Sequence, residues 1–186
     1  ILVRRTLIDY TEERVTLPPE KFQPMLDFAM AMSRHFEKFG FFMGNKLILH
    51  GQLLLDDQHN MRYKQKVFVI MEITDPAPLS MPMVYCPAPW LKSGMDWHTG
   101  SDGWLCWGLP QQWRDKISAL EKQNVSYQVL MEYAATWCID SVISLLCRQW
   151  YAYRNELTEW PPEWKYWDHG QKGVLQYERE KRKTTK

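Results

Sequence analysis

One thiol stands out by its setting. His98-Thr99-Gly100-Ser101-Asp102-Gly103-Trp104-Leu105-Cys106 places a histidine, an Asp-Gly turn and two apolar residues before a cysteine. Gly103 can adopt a positive φ at low cost, and Asp102 favours the turn. Trp104 and Leu105 can anchor the loop in a core and leave Cys106 at its rim. A positioned, partly exposed thiol can act as a nucleophile, whereas a buried one behaves as a small hydrophobe. Cys106 is open to both readings. His98 can serve as acid or base, or it can hold the loop through backbone contacts. Asp102 can polarise an incoming amine or act only as a turn residue. Cys106 with His98 or His169 could also form a hydrolytic dyad, although no other feature supports that chemistry.

The surrounding order adds to this. Val67 to Thr74 leads into Asp75-Pro76-Ala77-Pro78 and Met81-Pro82-Met83-Val84-Tyr85, then His98, Gly103, Cys106 and Trp113. Glu159-Trp160-Pro161-Pro162 and His169-Gly170 come later. This ordered set, over roughly residues 20 to 173, resembles the ubiquitin-conjugating enzymes, and within them the bacterial branch. The resemblance implies that Cys106 accepts the C-terminal carboxyl of a partner as a thioester and passes it to an amine. The partner implied is a cGAS-like nucleotidyltransferase of the CBASS anti-phage operons or a ubiquitin-like modifier, activated by a separate adenylating enzyme. It also implies that His169 folds back near the cysteine; a capping or turn role is equally open. Trp107 would shield one side of a thioester or touch the donor tail, and Trp113 would pack under the loop. The family's His-Pro-Asn is here His98-Thr99-Gly100, so the asparagine is missing. Backbone N–H groups of the loop, or Thr99 or Ser101, would then have to stabilise an oxyanion. A non-catalytic binding module with the same fold is the reading from another class.

Positioning such a site takes an ordered scaffold. Met25, Leu26, Phe28, Ala29, Met32 and Phe36 recur at helical steps, predicting a helix from about 24 to 38 that Gly40 and Gly44 stop. Lys46–Leu55 reads as a strand, Asp56–Asn60 as a turn and Arg62–Thr74 as the return strand, with apolar residues on both faces. Met83–Cys86 is a short third strand, and 87–103 must be mostly irregular. Leu109-Pro110 opens a helix to about Lys122, with Asn124 able to end it. Ser126 resembles an N-cap for a long helix from Tyr127 to about Asn155, apolar widely around its axis and therefore sandwiched. Residues 157–170 should pack back as an ordered arm. The pattern predicts an α+β fold, and the resemblance makes it the ubiquitin-conjugating one: an antiparallel meander on an N-terminal helix, a long active-site loop, then C-terminal helices.

The chain of 186 residues reads as one domain, with 174–186 a solvated charged tail. Its 45% hydrophobic and 24% charged residues suit a globular core. A net charge of +1 argues against a nucleic-acid footprint. No apolar run approaches the roughly 20 residues of a membrane span. Ile1-Leu2-Val3 is followed at once by Arg4 and Arg5, so no leader is read. The four cysteines form no close pair, which suits reduced thiols and a cytoplasmic protein. Cys86, Cys138 and Cys147 read as packing residues. A zinc site from Cys86, His98 and Cys106 lacks paired ligands, so no metal and no cofactor are expected.

Overall fold

The structure, a computed structural model, describes residues 19–43, 46–57, 61–72 and 80–161. Helix α1 (Pro19–Ser33) precedes strands β1 (Glu37–Met43), β2 (Lys46–Asp57), β3 (Met61–Glu72) and β4 (Met83–Tyr85). A 3₁₀ turn (Met95–Trp97) and helices α2 (Pro110–Lys122) and α3 (Tyr127–Arg154) follow. The four strands form an antiparallel sheet in sequence order. This is the expected α+β class, with helices on one face of a meander.

The inner face is built by alternation. Leu47, Leu49, Leu53 and Leu55 of β2 and Val67, Val69 and Met71 of β3 are buried on it. They pack with Phe28 and Met32 of α1 and Ala134, Ala135, Cys138, Val142 and Leu145 of α3. Full burial of each such aliphatic side chain contributes about 1.5–3 kcal/mol. The other face carries a smaller cluster of Ile48, Phe68, Ile70 and Tyr85, against which Trp104 packs. The apolar residues expected on both faces of the return strand are thus covered on both, Phe68 and Ile70 lying on this second face.

One element differs from the sequence reading. The helix runs from Pro19 to Ser33, not 24 to 38, and residues 37–43 form β1. Phe36 is buried, as helical spacing implies, but it enters the core from the turn before β1. Gly40 does not stop a helix: it sits opposite His50 in the sheet, where a Cβ would lie 2.5 Å from the imidazole. The strand is set by its pairing with β2, which local spacing does not encode.

The two later helices begin as their sequences dictate. Pro110 opens α2, and Ser126 Oγ accepts the N–H of Val129 at the start of α3. Asn124, at φ 53°, turns the chain between them. Against the expectation of no span-like run, α3 is long and apolar enough to cross a membrane by length and composition, with a mean hydropathy of 1.4 over its best window. Its packing explains that composition: eleven of its residues are buried, from Leu130 to Ala152, because the helix lies between the sheet and the loop. The tail at 174–186, residues 162–170 of the arm and His169 lie outside the described residues.

Candidate functional site

The cysteine segment is a small hairpin grafted onto the short edge strand. Gly100 N–H donates to Trp104 O and Cys106 N–H to His98 O, each at 2.8 Å. Gly103 N–H closes the tip on Gly100 O at 3.2 Å. Thr99 therefore faces Leu105, and His98 faces Cys106 across the ladder. The second arm joins β4: Leu105 N–H donates to Val84 O at 2.8 Å and Cys86 N–H to Gly103 O at 2.9 Å. Cys106 is thus positioned by the sheet itself.

Gly103 is required at this junction. Its φ is 90°, and a Cβ there would sit 2.4 Å from the Cys86 carbonyl oxygen. A second turn precedes the hairpin. Gly94 N–H donates to Thr99 O at 2.8 Å, and the chain between them makes the 3₁₀ turn and a left-handed His98 at φ 55°. Such a φ at a non-glycine residue costs about 1–2 kcal/mol and persists because contacts on both sides hold it.

Extended backbone then sorts the side chains. Leu105 and Trp107 point into the main core, while Trp104 packs on Tyr85 at 5.3 Å on the other side. Cys106, between Leu105 and Trp107, is half-buried and lines an open cleft of about 470 Å³ with Met95, His98, Thr99 and Ser101. Burial pushes its thiol pKa up, so the resting group is the protonated thiol.

The other expected site residues separate. Trp107 does not flank the thiol. Its indole is 2% exposed, donates to Pro82 O at 3.0 Å and packs edge-on against Trp113 and Trp137. Trp113 packs beneath the loop as expected. Asp102 is exposed at the hairpin tip, where it accepts the Ser101 hydroxyl at 2.8 Å, so its position is that of a turn residue. The His98 ring is 4% exposed and packs edge-on to Trp160 at 5.0 Å, while its carbonyl holds Cys106. The ring thus lies at the cleft beside Trp160, and the contact with Cys106 is made by the His98 backbone rather than by the imidazole. Trp160 also packs on Trp97 at 6.0 Å, so the arm returns over the loop as far as it is described.

Of the backbone donors considered for an oxyanion, the N–H groups of His98, Thr99, Gly100 and Cys106 all bond carbonyls. Thr99 Oγ1 donates to Trp97 O at 3.3 Å. Ser101, bonded only to an exposed carboxylate at the surface of the cleft, can turn toward a ligand at low cost. Of the remaining cysteines, Cys86 and Cys138 are buried, and burial raises the Cys86 thiol to about 12. Cys147 is half-buried and reaches Asp56 O at 3.8 Å. Among the described residues no cluster of three His, Cys, Asp or Glu side chains could hold a metal.

One residue of the site was missed. Gln149, on α3, is fully buried, and its Nε2 donates to Lys92 O (3.1 Å), Trp97 O (2.7 Å) and Thr99 Oγ1 (3.2 Å). Its Oε1 accepts Lys92 N–H at 3.1 Å. A lone glutamine between apolar helix positions was the available signal. Lys92 adds to the clamp: its Nζ donates to Leu157 O and lies 4.8 Å over the Trp97 ring.

Fold and site together define an α+β protein with a four-stranded meander and a cysteine on a pinned hairpin beside an open cleft. No protein-family model, curated protein or solved structure matches the chain.

Proposed function

We propose that this chain adopts the ubiquitin-conjugating fold and carries an acyl group on Cys106. The observation that supports the reading most is the placement of that thiol: half-buried, at the lip of an open cleft, on a hairpin tied to the sheet edge. The order of helix, meander, long loop and helices agrees with it. The donor is the C-terminal tail of a protein, either a cGAS-like nucleotidyltransferase or a ubiquitin-like modifier, within cytoplasmic anti-phage defence. The carboxyl arrives activated by a separate adenylating enzyme. Cys106 loses its proton, Sγ attacks the activated carbonyl, the activating group leaves, and a thioester forms. An amine then attacks that carbonyl, the amine proton is lost and the Cys106 thiolate departs. Ser101, which lines the cleft, would support the oxyanion by turning its hydroxyl away from Asp102.

A second reading, a non-catalytic module that holds a partner non-covalently, is favoured by two observations. The thiol is raised by burial, and the N–H groups of His98, Thr99, Gly100 and Cys106 are already bonded to loop carbonyls.

Co-expression with a cGAS-like nucleotidyltransferase or a ubiquitin-like modifier together with an adenylating enzyme, read by intact mass and non-reducing gel, separates them. A partner-sized adduct released by hydroxylamine and abolished by Cys106→Ala is the expected result. A complex without a covalent bond, unchanged in Cys106→Ala, would replace the carrier with the binding module.

A further inference from the structure

We infer that Gln149 is the positioning residue for Cys106, and that the long helix sets the reactivity of the thiol through it. The inference rests on the proposed function only in its last readout. Burying a primary amide is costly unless its hydrogen bonds are met. Here they are met by the loop rather than by the helix that carries it: Lys92 through both its N–H and its carbonyl, the Trp97 carbonyl and the Thr99 hydroxyl. A methionine of similar length would fill the same space and ask for no partners. The amide instead selects one loop geometry, because a shift of the loop would strand buried donors and acceptors.

The path to the thiol is short. Trp97 O and Thr99 Oγ1 bracket His98, the residue held in the left-handed conformation. The His98 carbonyl accepts the N–H of Cys106, and Thr99 lies opposite Leu105. With Trp97 and Thr99 fixed, His98 cannot relax to an extended φ, and its carbonyl stays aimed at Cys106. The same contacts keep the thiol half-buried. Loss of the clamp would expose Cys106 and misplace it together.

The test is the pH profile of Cys106 alkylation by iodoacetamide, read by peptide mass in the full chain, for wild type, Gln149→Met and Gln149→Glu. In Gln149→Met the midpoint should fall toward that of an ordinary thiol, with a several-fold faster rate at neutral pH. In Gln149→Glu an ionised carboxylate would face the Lys92 and Trp97 carbonyls. Its protonation restores one donor, so the profile should gain a second titration that wild type and Gln149→Met lack. Profiles that superimpose on wild type in either folded variant would overturn the inference. Should both variants fail to fold, native-state hydrogen exchange of wild type decides. Cys106 and Gly100 amides opening together with α3 support the clamp, and their independent, faster opening overturns it. Loading from a synthetic C-terminal peptide thioester should also slow in Gln149→Met. Absence of loading in wild type would defeat the acyl-carrier reading, while the alkylation profiles would still decide the role of Gln149.

Discussion

The core beneath the sheet and the hairpin that holds Cys106 are stabilised by different physics. In the core, Leu49, Val69, Ala135 and Cys138 are fully buried and surrounded by other apolar side chains. Their contribution is broad and non-directional, and it tolerates a change of partner better than a change of volume. The hairpin does anchor Leu105 in that core and Trp104 on Tyr85, but its geometry is set by directional contacts. It is placed by individual backbone hydrogen bonds to Val84 and Cys86, by Gly103, and by one glutamine from α3. Lesions in the first region should lower stability everywhere. Lesions in the second should alter the thiol while leaving the fold largely intact.

The largest effect should come from the core. Leu49 lies between Phe41 and Val69 in the sheet and is fully buried. Leu49→Ala should destabilise the protein by about 2–5 kcal/mol, read from urea unfolding. Below the midpoint, Cys106 alkylation should follow wild type. If alkylation changed before global unfolding, the two regions would not be separable.

Gly103→Ala is the reverse case. The new methyl would meet the Cys86 carbonyl and would sit at a φ of 90°. We expect a loss of about 1–3 kcal/mol, with faster exchange of the Leu105 and Cys86 amides and faster alkylation of Cys106. An unchanged exchange pattern would show that the hairpin does not depend on this junction.

These regions also differ in how far they can be read from sequence. Helices α2 and α3 were legible because their signals are local: Pro110 at the start of one, and the Ser126 cap and continuous apolar positions of the other. The β2–β3 pair was legible from alternation. Strand β1 was not, because Phe36 and the earlier apolar residues keep helical spacing while β1 is set by its pairing with the next strand, β2. In the site, the thiol and the Asp-Gly turn were visible in the motif, whereas the backbone pairing of His98 with Cys106 was not. Trp107 was placed wrongly beside the thiol because adjacency in sequence was read as adjacency in space. In extended backbone the next side chain points to the opposite face, here into the core. Gln149 carried a signal as a polar residue among apolar helix positions, but its partners were not legible: they lie in a loop distant in sequence and are mostly backbone atoms, which carry no sequence signature.

Cys86 sits where the regions meet, with its N–H on Gly103 and its side chain in the core. Its thiol is raised from 9.0 to about 12 by burial. The sign follows from linkage. The unfolded thiol ionises first, so the stability due to keeping Cys86 protonated is complete below the ordinary thiol range. It is lost as pH climbs from there toward the raised value. One unit above the unfolded value the loss is about 1.4 kcal/mol. Unfolding curves at neutral and alkaline pH should therefore converge by about that amount between wild type and Cys86→Ala. Parallel curves would mean that Cys86 ionises as readily folded as unfolded.

The smallest effect belongs to neither region and calibrates both. Arg34 Nη1 lies 2.6 Å from Glu132 Oε1, joining the C-terminal end of α1 to the first turns of α3, and both side chains are largely in solvent. An exposed pair of this kind is screened and spends side-chain entropy to form, so its net worth is about 0–1 kcal/mol. Arg34→Ala should shift the unfolding midpoint by no more than that, and the shift should shrink further in high salt. Cys106 alkylation should not change, since nothing in the pair touches the hairpin, the clamp or the cleft. If this variant altered the thiol, α3 would be transmitting small displacements along its whole length. Gln149 would then be a passive reporter of helix position, and the contrast between a volume-filled core and a hydrogen-bonded hairpin would dissolve into one coupled unit.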